Sequence, residues 1–346
     1  MTDQRPPEKL TAKDFASDQE VRWCPGCGDY AILKGVQKTL ADIEADPANT
    51  VFISGIGCAA RFPYYIETYG FHTIHGRAAA LATGAKLANP DLDVWIVGGD
   101  GDSLSIGGNH LMHLLRRNLD CQYLLFNNEI YGLTKGQYSP TSHAGTRSPS
   151  TPFGSLDQPV SAARFALGAN ATFVARTGDV MQAHLVEMLK RAHGHKGTGF
   201  VEILQNCIVY NDHVFGHIMD KEVQADAQIH LAHGAPMLFG PDGKKGLRLK
   251  PGKLALEAVT LGEAGITEAD ILVHDETDAT MAFLLAAMEP PALPVAMGVL
   301  YAAETGAEDT YDGAMRAFRA RRIEQTGGAH TDLDAVMRQG HTWTVS

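Results

Sequence analysis

The sequence predicts an α/β fold, a parallel sheet with helices on both faces. Three observations predict it. Short apolar runs such as 94–97 and 123–126 have the length and composition of buried parallel strands. Segments with apolar residues at helical spacing alternate with them up to about residue 215. The runs stop at Gly, Asp, Asn or Cys, and ligands of open parallel sheets sit at such strand ends.

Taken in order, residues 1–20 are polar, carry a proline pair and show no periodicity. They are expected to form an arm over the surface or over a partner. Trp23-Cys24-Pro25-Gly26-Cys27-Gly28 precedes a helix expected at 30–43, with Ala31, Leu33, Val36 and Leu40 marking its apolar face. A strand at 51–54 ends in Gly55-Ile56-Gly57-Cys58. His75-Gly76-Arg77 opens a helix, AAALATGAKLA, whose small residues suit close packing on a sheet. The run at 94–97 stops at Gly98-Gly99-Asp100-Gly101-Asp102. A helix follows with Leu111, Leu114 and Leu115 on one face and Arg116-Arg117 near its end. The run at 123–126 stops at Asn127-Asn128.

Residues 135–155 form a long loop rich in Ser, Thr, Pro and Gly; beside a ligand site such loops are usually functional. A helix at 160–167, a strand at 172–175, a helix at 180–193 and a strand at 200–204 are expected next, the last ending in Gln205-Asn206-Cys207. The alternation then fades. The remainder holds a Gly/Lys-rich turn at 240–246, an expected strand at 271–273, an expected helix at 312–324 and a polar tail. The resulting division is an arm (1–20), an α/β domain (21–215) and an extension (216–346) that packs on the first domain or on a partner.

Length and composition fit this division. A chain of 346 residues has a prior of about two domains, and 45% hydrophobic against 20% charged residues can bury a sizeable core. The net charge of −11 argues against a nucleic-acid groove, which needs a basic face. It also gives no general attraction to acidic proteins, so docking of one must be local. The N-terminus lacks the apolar core of a signal peptide. The stretch 281–303 is broken by Glu289, Pro290, Pro291 and Pro294 and is a poor membrane span. A cytoplasmic protein is expected, in which five cysteines do not make a disulfide scaffold and a CxxC points to metal binding or catalysis.

The loop after residue 97 has the chemistry of a Mg²⁺–diphosphate site. Glycines let backbone approach a phosphate, and a helix N-terminus offers N–H groups. Asp100 and Asn128 each offer a hard oxygen, which suits Mg²⁺ shared with substrate phosphates. A plain turn is the alternative for Gly-Asp-Gly by itself. Cys24, Cys27, Cys58 and Cys207 each lie beside an expected helix start or strand end. Four thiolates suit a [4Fe–4S] cluster or structural Zn²⁺, while the CxxC alone leaves cluster, zinc, redox pair and chance open. Cys121, at the edge of an apolar run, reads as a small buried hydrophobe.

The Gly-Asp-Gly with an Asn pair 28 positions after the Asp resembles the thiamine diphosphate fingerprint. The ordered series WCPGCG, GIGC, HGR, GDGDSLSIGGNHLMHLLRRN and FNNEIYGLTKGQYSPT resembles the β subunit of a 2-oxoacid:ferredoxin oxidoreductase. The likeness runs from about Arg22 to Asn211 and continues weakly through 231–246. It implies Mg²⁺ held by Asp100, Asn128 and the backbone carbonyl of Ile130. Gly99, Gly101 and Asp102 would line the diphosphate, with Thr134 donating to it and His75 at the cofactor. It implies one [4Fe–4S] cluster on Cys24, Cys27, Cys58 and Cys207. The implied reaction is reversible, coenzyme A-dependent oxidative decarboxylation of a 2-oxoacid, with electrons passed through the cluster to ferredoxin. Thiamine enzymes also need a glutamate against the aminopyrimidine ring, which in this family lies on an α subunit. The chain is therefore expected to be inactive alone and to work as α2β2.

NHLMHLLRRN and LTKGQYSPT resemble the 2-oxoglutarate type, which makes succinyl-CoA. Lys135 is then the expected cation for the substrate's second carboxylate, with His75 and Arg77 as alternatives. His110 and His113 read as a packed or surface pair, and Arg116 and Arg117 as an interface or solvated helix end. The rival readings are a pyruvate or broad-specificity oxidoreductase and, in another class, a non-catalytic zinc-binding scaffold.

Overall fold

The computed structural model describes residues 9–326 together with 337, 338 and 343. Residues 1–8 of the expected arm and most of the polar tail lie outside the described residues. The rest of the arm lies on the chain's own surface, with Phe15 fully buried and Ala16 bridged to Ile66.

The first helix, α1 (Asp29–Asp42), buries Ile32, Leu33, Val36 and Leu40. Strand β1 (Thr50–Ser54) is buried throughout, and β2 (Tyr69–His72) pairs parallel to it. β2 escapes the apolar pattern because all four of its residues are exposed. Next come α2 (Ala78–Ala88) and β3 (Asp93–Gly99). The single helix expected after β3 is two, a short α3 (Asp100–Leu104) and α4 (Gly108–Arg117). α4 ends at Asn118 in the left-handed conformation, φ 51°. Strand β4 (Cys121–Asn127) is followed by the hairpin β5 (Ile130–Tyr131) and β6 (Gln137–Tyr138). Then follow α5 (Ala162–Gly168), β7 (Phe173–Gly178), α6 (Gln182–Gly194) and β8 (Thr198–Leu204).

Beyond residue 215 lie two short helices, α7 (Gly216–Met219) and α8 (Gln224–Ala227), and strand β9 (Gln228–His230). A three-stranded antiparallel meander follows: β10 (Leu238–Phe239), β11 (Lys245–Leu249) and β12 (Leu256–Thr260). The chain continues through α9 (Ala279–Ala286), β13 (Val295–Ala302) and α10 (Tyr311–Thr326). The strand expected at 271–273 is not one: Val273 makes only an isolated bridge to Pro236. Its neighbour Leu272 is tied by single backbone bonds to Leu247 and Met237, so the segment threads beside the meander without a ladder. The stretch 281–303, read only as too broken to span a membrane, holds α9 and β13 on either side of its prolines.

Among the described residues the main sheet has eight strands in the order β2-β1-β3-β4-β8-β7-β13-β9. The first six pair parallel, β13 pairs antiparallel to β7, and β9 pairs parallel to β13. Side chains alternate between faces. Val94, Ile96, Tyr123 and Leu125 join a core under α2, α4, α5 and α9. Trp95, Val97, Leu124 and Phe126 join a second core under α1, α6 and the 3₁₀ turn Ala59–Tyr64. Burial on both faces is why these strands read as unbroken apolar runs. Because β1, β3, β4 and β8 run parallel as neighbours, their C-terminal ends share one edge of the sheet. No helix of the described residues is long and apolar enough to cross a membrane.

Candidate active site

That shared edge carries two adjoining cavities. The first, of about 210 Å³, is lined by His75, Gly99, Asp100, Gly101, Asp102, Asn128, Ile130 and Thr134. The structure thus gathers every residue that the sequence placed at the cofactor. Lys135 does not line it; this lysine is exposed on the β5–β6 turn with φ 76°.

Asp100 follows β3 and is 2% exposed. Burial raises its carboxyl pKa, against hydrogen bonds from Ser139 and Thr141 that lower it. Both hydroxyls donate to Oδ2, Thr141 at 2.6 Å. Gly101 has no room for a side chain, since a Cβ there would lie 2.2 Å from the Tyr131 ring. Asp102 accepts from the backbone N–H groups of Ile56 (3.1 Å) and Gly76 (2.8 Å). Its carboxylate therefore ties together the loops after β1 and before α2. Gly76 sits at φ 67°, and a Cβ there would meet the Gly107 backbone at 2.4 Å.

Asn128, just beyond β4, has its Oδ1 on the N–H of Ile130 (3.2 Å) and donates from Nδ2 to Gln205 Oε1 (2.7 Å). Glu129 between them has φ 55°, which lets Asn128 and Ile130 both line the cavity. Burial, with Asp100 and Glu202 nearby, pushes the Glu129 carboxyl up to about 8. The cavity lining thus includes a carboxylate and a side-chain amide, hard oxygen donors that fit Mg²⁺. The Thr134 hydroxyl is engaged within its own turn, by Gln137 Oε1 and the Tyr131 carbonyl.

The second cavity, of about 190 Å³, is lined by Cys24, Cys27, Cys58 and Cys207, and shares Cys58, Asn128, Gly132 and Leu133 with the first. A Cβ on Gly132 would lie 3.5 Å from Cys207 Sγ and 3.7 Å from Cys58 Sγ. Trp23 anchors the wall by donating to the Cys58 carbonyl at 2.7 Å. Burial, then the charge of Asp29, pushes the Cys58 thiol up to about 11 and moves Cys27 the same way. Asp29 is 1% exposed, its carboxyl is raised to about 7 by burial, and its Oδ1 has no partner among the described residues. Four thiols around one space and an orphaned carboxylate oxygen beside it fit a thiolate-bound metal group, which would deprotonate the thiols on binding. No three His, Cys, Asp or Glu side chains among the described residues are gathered to hold a metal ion. The thiols ring a space instead. Cys121, 1% exposed within β4, is a core residue.

Sequence reasoning missed Ser139, Thr141, Gln205 and Asp29. The first two lie in SPTS of the long loop, whose composition marked the loop but not its partner. Of the remaining candidates, Arg77 donates to the His75 carbonyl (3.1 Å), and Arg117 stacks on the Tyr311 ring of α10 (5.8 Å). His110 and His113 join no metal-binding group among the described residues.

The chain is 48% identical to the 2-oxoglutarate oxidoreductase subunit KorB of Mycobacterium tuberculosis, over 99% of this chain and 90% of that one. It belongs to the 2-oxoacid:ferredoxin oxidoreductase β subunits. A family model described as the C-terminal TPP binding domain of thiamine pyrophosphate enzymes matches residues 55–203 of this β subunit, the span from the β1 end to β8. A 2-oxoacid:ferredoxin oxidoreductase β subunit of Aeropyrum pernix is 50% identical over 55% of this chain and 60% of its own length. Among solved structures, a 2-oxoglutarate:ferredoxin oxidoreductase from Magnetococcus marinus with 2-oxoglutarate, coenzyme A and succinyl-CoA bound superposes with a TM-score of 0.74. The two share 32% identity and match over 97% of each chain. The chain is thus a β subunit of an oxidoreductase, and its relatives include subunits named for 2-oxoglutarate and subunits named more broadly for 2-oxoacids.

Proposed function

We propose that this β subunit binds thiamine diphosphate and one [4Fe–4S] cluster, and with an α subunit converts 2-oxoglutarate and coenzyme A to succinyl-CoA and CO₂, passing electrons to ferredoxin. The observation that carries the reading is the adjacency of the two cavities, which share Cys58 and Asn128. Asp100, Asn128 and the Ile130 carbonyl would hold Mg²⁺, and Gly99 and Gly101 would let the backbone approach a diphosphate. Thiamine supplies the nucleophile and electron sink; the chain supplies position and field. Cys24, Cys27, Cys58 and Cys207 would hold the cluster, whose chemistry is one-electron transfer. Lys135, exposed on the turn one residue beyond the cavity-lining Thr134, would be the cation for the substrate's second carboxylate. The α subunit would bring the module that holds the aminopyrimidine ring, in an α2β2 assembly. Five free cysteines suit the reducing cytoplasm.

Anaerobic co-purification with the α subunit tests this. About four irons per chain, bound thiamine and coenzyme A-dependent ferredoxin reduction that favours 2-oxoglutarate over pyruvate are expected. A colourless complex with one zinc per chain rejects it in favour of a scaffold.

A further inference from the structure

We infer that Gln205 is a positioning residue that couples the diphosphate site to the cysteine site through its side-chain amide. It stands just beyond β8, and its backbone N–H donates to the Asn127 carbonyl at 2.8 Å, extending the β4–β8 ladder by one residue. The residue is 1% exposed. Its Oε1 accepts from Asn128 Nδ2 at 2.7 Å. Its Nε2 donates to the Asn206 carbonyl at 2.6 Å and to Cys27 Sγ at 3.3 Å.

Both amide hydrogens and the oxygen are thereby in use, and the orientation is fixed by its partners. Turning the amide over would set an NH₂ against the NH₂ of Asn128 and a carbonyl oxygen against the Asn206 carbonyl. The Asn128 amide is fixed in turn, so its oxygen stays toward Ile130 and the first cavity. At the other end, an N–H aimed at sulfur stabilises negative charge there, and such bonds raise the potential of a cluster held by that sulfur. A glutamate at 205 could still accept from Asn128 but could not donate to Cys27 when ionised.

The inference rests on the proposed reading of Asn128 and of the four cysteines. Its test keeps the two separable. In the α–β complex, iron and thiamine are measured first on the wild type; if they are absent, the site reading fails regardless of Gln205. Two variants then follow, Gln205→Leu and Gln205→Glu. Cluster potential is read by redox titration with paramagnetic resonance, and thiamine retention is read against free Mg²⁺. Both variants are expected to have a more negative potential. Q205L is expected to need about tenfold more Mg²⁺ for half-retention, the size of effect typical of lost outer partners, and Q205E less than about threefold more. Ferredoxin reduction is not needed for either readout. If Q205L does not retain iron, the potential is read on Q205E, which keeps the side-chain shape. An unchanged potential, or an unchanged Mg²⁺ requirement in Q205L, overturns the coupling.

Discussion

The Thr141 hydroxyl lies 2.6 Å from Asp100 Oδ2 and 3.0 Å from Asn127 Oδ1. It begins a buried chain: Asn127 donates to Glu202 at 2.9 Å, and Glu202 pairs with Arg176 at 2.8 Å. A residue of the long loop therefore holds the carboxylate at the end of β3 and ties it to β4, β8 and β7. Thr141→Val keeps the shape and removes the donor. It is expected to raise the Mg²⁺ needed for half-maximal thiamine retention about tenfold, while Thr141→Ser stays close to wild type. A Mg²⁺ titration of thiamine retention in the assembled enzyme decides it, and equal behaviour of the Val and Ser variants counts against the role.

The Lys135 assignment is decided by substrate comparison. Lys135→Ala is expected to lower kcat/KM for 2-oxoglutarate by about tenfold or more, the size of one charged hydrogen bond, and to leave pyruvate nearly unaffected. Equal losses on both substrates remove Lys135 from substrate recognition. Its exposed place on the turn makes the variant safe for folding.

Asn118 is a structural hub. It ends α4 at φ 51°, and its buried Oδ1 accepts from the Thr198 N–H (3.0 Å) and the Thr172 hydroxyl (2.6 Å). Its Nδ2 reaches the Asp309 carbonyl at 3.2 Å. Asn118→Ala combines left-handed strain with unsatisfied buried groups, and is expected to destabilise the chain by about 2–4 kcal/mol. A shifted denaturant midpoint with an unchanged slope would confirm it.

Two half-buried imidazoles give a pH dependence. His184, held by Thr177, and His195, held by Thr172, are both lowered to about 4, chiefly by burial. Between about 6.5 and 4 the unfolded chain binds protons at these sites that the folded chain does not, so these two histidines remove stability as pH drops through that window, while the buried carboxyls of Asp29 and Glu129, raised to about 7 and about 8, work the other way. Thermal melts of the wild type and of the double variant His184→Gln, His195→Gln from pH 7 to 4 isolate the histidine part. The variant should lose less stability, or gain more, than the wild type as pH drops, and a difference that stays constant across the range removes these histidines from the pH dependence.

Much of the site was legible because buried parallel strands read as apolar runs and their ends as punctuation. Asp100, Asn128 and Cys58 sit where β3, β4 and β1 stop, as their strings imply. The C-terminal third was not legible. β13 is separated from α9 only by a proline-broken turn, and 271–273 has a strand's composition but finds no ladder. Gln205, Ser139 and Thr141 escaped notice for another reason. Each is an ordinary polar residue in a polar segment, and its importance comes from what the fold sets opposite it. Asp29 was hidden in the same way, as an acidic residue in the first turn of a helix, where acids are common.

The four thiols come from segments that stretch from before α1 to beyond β8, and they line one space only in the folded chain. During synthesis, Cys24 and Cys27 leave the ribosome long before Cys207. No shorter nascent chain carries the complete ring. A cluster held by all four thiols would therefore be loaded late in the life of the polypeptide, after the arrival of its eighth strand.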